Sequence, residues 1–182
     1  MRMLLSVALV AVLSISSVLA GERVGGPRLR PQDPRIILVL KEGAARSATF
    51  RALVNRIEAS NLIVYIGVTP VLKSTLSGKM TWMTRAGDFR YVRATISTEL
   101  MFDQMIATVA HELQHAVEVI EAESVTDERS LVELYKRIGQ PSGAAGRPGW
   151  ETLAAQRTGT QVRRELVAAP TTTMARISDS QS

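Results

Sequence analysis

The stretch Thr98–Ala122 constrains this chain more than any other. Ile106, Val109, Ala110, Leu113, Ala116, Val117 and Ile120 recur at helical spacing and form one broad apolar face. Gln104, Thr108, His111, His115 and Glu118 form a narrow polar strip on the same helix. A helix this apolar has to be buried, so the remaining elements must be arranged around it. A polar strip on a buried helix is costly unless its groups are paired or bind a metal.

The only two histidines of the chain fall in that strip, within His111-Glu112-Leu113-Gln114-His115. Four residues are slightly more than one helical turn, so both imidazoles project from one face and can grip one metal ion. The spacing is H-E-x-x-H, in which the Glu can serve as general base towards the water that such a metal activates.

Zinc suits imidazole nitrogen combined with carboxylate oxygen, and a catalytic zinc takes three protein ligands. With no histidine left, the third ligand is expected to be a carboxylate. Glu118, Glu121 and Glu151 are the candidates. Glu118 begins roughly 7 Å along the helix axis from His111–His115, at about 1.5 Å per residue, and is read as a support pairing with an Arg. Glu151 opens a last helix expected over Glu151–Val167, whose small residues allow close packing on another helix.

The motif and a later Glu-bearing helix, behind an upstream sheet, resemble the gluzincin branch of the zincin metallopeptidases. His111, Glu112 and His115 match the family motif residue by residue. The resemblance implies zinc held by His111, His115 and Glu151, with Glu112 as general base. It implies peptide hydrolysis, endopeptidase rather than exopeptidase, on a peptide or protein substrate laid along a sheet edge. That edge is expected at Phe89–Ile96, the strand before the motif helix. The chain departs from the larger gluzincins at Ala155, where they carry an Asp that supports a ligand histidine. It departs from metzincins at Glu118, where they carry the Gly that turns the chain towards a third ligand at the position of Glu121. Tyr91 and Tyr135 could aid an oxyanion but read better as packing residues. The competing functions are a non-catalytic zinc-binding envelope protein of the same fold and a basic domain on an anionic surface.

Upstream, Arg35–Leu40 is a compact run of apolar β-formers and reads as a buried strand. Helical spacing of Phe50, Leu53, Val54 and Ile57 predicts a helix over Ser47–Ala59, and Leu62–Val68 a second buried strand. Alternation predicts a hairpin from Gly78 to Ser97, turning at Ala86-Gly87-Asp88. A helix with Thr126 as N-cap is expected over Asp127–Ile138, ending at Gly139, followed by a loop over 140–149. The predicted class is α+β: a small mixed sheet, a buried HExxH helix and C-terminal helices, in one domain over 35–167.

Residues 1–20 read as a secretory signal, with Arg2 ahead of the apolar run Leu4–Leu13 and Ala20 before the cut. Residues 21–34 read as an extended linker and 168–182 as a polar tail. The expected location is therefore exported, or membrane-anchored if the signal is kept, with no stable span after cleavage. The net charge of +5 comes without an aromatic-rich nucleic-acid motif, so no nucleic-acid partner is expected. The absence of cysteine excludes disulfides.

Overall fold

A computed structural model describes residues 27–72, 76–142 and 149–169. The signal segment 1–20, the first six residues of the linker and all but the start of the tail lie outside the described residues. Among the described residues no helix is long and apolar enough to cross a membrane.

The chain is a mixed α+β protein with two layers. Its main sheet runs in the order β1 (Leu29–Pro31), β2 (Leu62–Thr69), β4 (Phe89–Ser97), β3 (Gly78–Ala86). β1 and β4 flank β2 in parallel, and β3 pairs antiparallel with β4 through the predicted hairpin. The helices α1 (Pro34–Arg46), α2 (Ala48–Glu58), α3 (Phe102–Glu121), α4 (Glu128–Ile138) and α5 (Leu153–Ala168) supply the rest of the core. Val64, Ile66, Val92, Ala94 and Ile96 line the covered face of the sheet and are fully buried against Ile106, Val109, Ala110 and Leu113 of α3. Each Val, Ile or Leu side chain among them contributes about 1.5–3 kcal/mol by leaving water.

Three expectations need correction. The run Ile36–Leu40 is helix, not strand. Asp33 caps α1, accepting a bond from the Arg35 amide (2.8 Å), and Pro34 occupies the first turn. Ile36 and Val39 point inward with Gly43, while Ile37 and Leu38 stay about half exposed. The first strand instead lies in the expected linker, where Leu29–Pro31 pairs with Val64–Ile66. The strand Phe89–Ser97 is interior to the sheet, and the free edge beyond it is β3. Smaller differences concern caps: Asp127, not Thr126, caps α4 through the Ser130 amide (2.7 Å).

Two arginines fix the ends of α3. The buried Arg46 forms a two-pronged pair with Asp103 (2.7 and 2.9 Å) and donates to the carbonyls of Leu166 and Ala169. It thereby clamps the start of α3 to the end of α5, which makes the two helices antiparallel. At the other end Arg90 donates to the carbonyls of Val119 (2.7 Å) and Ala122 (3.0 Å), placing a cation on the negative end of the helix dipole.

Candidate metal centre

α3 carries both histidines, and the seam between α3 and α5 brings Glu151 to them. Gly159 of α5 makes the close approach possible: a Cβ there would stand 3.4 Å from the Ala107 carbonyl and 3.5 Å from the His111 Cβ. Glu151 does not sit in the first helical turn as expected. It ends a short ribbon in which β6 (Trp150–Glu151) pairs antiparallel with β5 (Gln140–Pro141), and Thr152 then caps α5. The start of the segment expected as a loop, Gln140–Pro141, is thus a strand, and it pairs with the one that presents the carboxylate.

Glu151 Oε2 lies 3.1 Å from His111 Nε2, and Oε1 lies 3.6 Å from His115 Nε2. One ligand atom from each of the three residues falls within 4.8 Å of the others, so the group could hold a metal ion. His111 and Glu151 are about a quarter exposed, which leaves the group open to solvent on one side, while His115 is buried. Burial opposes ionisation of Glu151, but hydrogen bonds from His111 and His115 outweigh it and hold its carboxyl down at about 2. Burial also disfavours an imidazolium at His115; the Glu118 and Glu151 carboxylates outweigh it and lift the ring to about 9. Proton and metal compete for the same Nε2 lone pair there.

Glu118 meets His115 from behind. His115 Nδ1 donates to Glu118 Oε2 (2.9 Å), which fixes the ring and turns its Nε2 towards Glu151. The other oxygen of Glu118 accepts the Thr152 hydroxyl (2.6 Å), and the Thr152 amide donates to Glu151 Oε1 (2.9 Å). The partner of Glu118 is therefore a histidine and a threonine, not an Arg. The support that Ala155 cannot supply comes from the same helix as the motif, three residues on, a spacing already visible in the sequence. Glu121 is excluded from the group: it is exposed and lies 3.7 Å from Arg56.

Glu112 lies beside the histidines on the flank of α3 that meets β3. It is 4% exposed, and its Oε2 is buried without a hydrogen-bond partner among the described residues. Burial pushes its carboxyl up to about 6, against the pull of His115 and His111. The first residue of β3 closes over it: a Cβ on Gly78 would stand 2.7 Å from Glu112 Oε1. Tyr135 is buried edge-on to the His115 ring and donates to the His115 carbonyl (3.3 Å), a packing role. Tyr91 lies on the sheet face turned away from α3.

Comparison with protein-family models, curated proteins and solved structures gives no match to this chain.

Proposed function

We propose that the chain is a zinc-dependent peptidase of gluzincin type, with His111, His115 and Glu151 as ligands and Glu112 as general base. The observation that carries this reading is the free oxygen of Glu112. A site built only to hold a metal has no use for a buried, unpartnered carboxylate beside its ligands, because such a group costs stability. The imidazole–carboxylate donor set fits zinc, and three protein ligands leave a position open.

Bound zinc supplies a Lewis acid that activates water and polarises a carbonyl. The chain supplies the rest. Glu118 holds the His115 ring in one orientation, and Thr152 holds Glu118 and Glu151 together. Glu112 Oε2 takes a proton from water and returns it to the leaving amine; its carboxyl, raised to about 6, is poised for both transfers near neutral pH. The free edge of β3 begins against Glu112 and can accept an extended peptide by strand addition. An N-terminal signal would export the protein, and its substrate would then be a peptide or protein met outside the cytoplasm.

The test is Glu112→Gln in the full chain, assayed for zinc content and for cleavage of fluorescent casein. Zinc should stay at one per chain while cleavage falls by about 10²–10⁴-fold. Cleavage that survives the substitution overturns the mechanism. One zinc per chain without cleavage by the parent protein would instead support a non-catalytic zinc-binding protein.

A further inference from the structure

We propose that the open face of the main sheet docks on an anionic phospholipid bilayer. All five helices contribute to the core on one side of the sheet. On the other side the strand register aligns Arg30, Tyr65, Arg93 and Thr81 in one row across all four strands. The next outward row holds Gly67, Thr95 and Lys79. None of β1–β4 contains an Asp or Glu. Arg93 and Lys79 are exposed, and neither meets a carboxylate among the described residues. The protein thus segregates its charge: the acidic residues lie outside the strands of the main sheet, and the charged side chains of these two rows are cations alone.

The detail of the face favours headgroup phosphates over bases of a nucleic acid. Two of its three outward rings are already covered: the Arg30 guanidinium lies over Tyr65 and donates to its hydroxyl (2.8 Å), and Arg28 lies over Phe89 at 4.7 Å, which leaves Tyr91. Single-stranded nucleic acid is held by stacking bases on free ring faces. Here guanidinium groups occupy two of the three rings, no run of free rings is left for successive bases, and the surface offers an array of cations for phosphate.

Among the described residues the chain enters the sheet at its β1 edge. Arg28 and Arg30 flank Leu29 at the start of the described residues, and the sequence before them carries the apolar run Leu4–Leu13. The 13 residues between Leu13 and Pro27 can span at most about 45 Å, so a retained N-terminal segment would hold the sheet close to a bilayer. The α3–α5 seam lies in the other layer, so a docked protein keeps His111, Glu112, His115 and Glu151 clear of the lipid. The inference stands whether or not the metal centre is catalytic.

The experiment is co-sedimentation of the full chain with vesicles of phosphatidylcholine alone or with 30 mol% phosphatidylglycerol, at low and at physiological salt. Binding should be stronger to the anionic vesicles by more than about tenfold and weaken with salt. Lys79→Glu/Arg93→Glu should lower the binding to anionic vesicles by at least about 25-fold, two steps of about fivefold for the lost cations alone. Arg163→Glu/Arg164→Glu makes the same change in net charge on exposed positions of α5 and should have a much smaller effect. Equal binding to both vesicle types, or equal losses in the two double variants, would overturn the assignment. So would tighter binding to single-stranded oligothymidylate than to vesicles, abolished by the sheet variant, which would make the face a nucleic-acid surface. Circular dichroism melts of both variants should match the parent, because all four side chains are exposed.

Discussion

The two sides of α3 treat the same side chain in opposite ways. Glu118, on the side of α5, has one oxygen on His115 and the other on the Thr152 hydroxyl. Glu112, on the side of β3, keeps an oxygen buried and unpartnered. Both are glutamates on one helix, both are less than one-tenth exposed, and they lie six residues apart. A satisfied buried carboxylate rigidifies what it touches; an unsatisfied one stores free energy and is free to accept a proton. The α5 side of the helix therefore fixes geometry, and the β3 side keeps a reactive group in reserve.

The largest break in this contrast comes from the α5 side. On the proposed reading Glu151→Ala removes one of three zinc ligands, and structural zinc sites in small peptides bind with about 10–16 kcal/mol. Losing roughly a third of that weakens zinc binding on the order of a thousandfold, measured by competition with a chromophoric chelator. Unchanged affinity would show that Glu151 is not a ligand. Glu118→Gln keeps the shape but removes the charge behind His115, and should weaken binding by about 10–100-fold. If Glu118 were itself the third ligand, its loss would rival that of Glu151→Ala.

The β3 side is tested by Gly78→Ala. The added methyl would stand 2.7 Å from Glu112 Oε1 and 2.9 Å from the Thr108 Cγ2, so the carboxylate or the strand must move. Such overpacking costs about 1–3 kcal/mol, seen as a lower melting temperature. Zinc content should not change, because no ligand contact is touched. A loss of zinc equal to that of Glu118→Gln would mean that the two sides of α3 are not separate.

How much of this could be read from the chain follows the range of the interactions. α3, the hairpin and β2 are marked by local periodicity, and the His111–His115 pair by a spacing within one helical turn. α1 was hidden because Ile36-Ile37-Leu38-Val39-Leu40 is apolar on every face and its β-branched residues outweigh its helical burial pattern. Its true signal was the Asp33-Pro34 start. β1 is three residues held only by pairing with β2, and the edge position of β3 depends on β4 lying beside β2; neither is encoded locally. Chain order alone points to Glu151, yet the ribbon that presents it and the Thr152 link to Glu118 arise only when α5 packs on α3.

The smallest expected effect isolates what carboxylate pairing does without a metal nearby. Glu165 of α5 accepts the Ser47 and Thr49 hydroxyls, the Thr49 amide and the Gln161 side chain, joining α5 to the first turn of α2. Burial opposes its ionisation, but these bonds outweigh burial and hold its carboxyl down at about 2, below its ordinary 4.5. Because the folded value is depressed, its contribution is fully present above about pH 4.5 and disappears as the pH falls towards 2. Screening by solvent limits that contribution to on the order of 1–2 kcal/mol, or roughly 2–8 °C in melting temperature. Glu165→Gln should therefore melt lower than the parent at pH 7, and the gap should close as the pH approaches 2. A gap that persists at pH 2 would mean that Glu165 acts through packing and not through its charge.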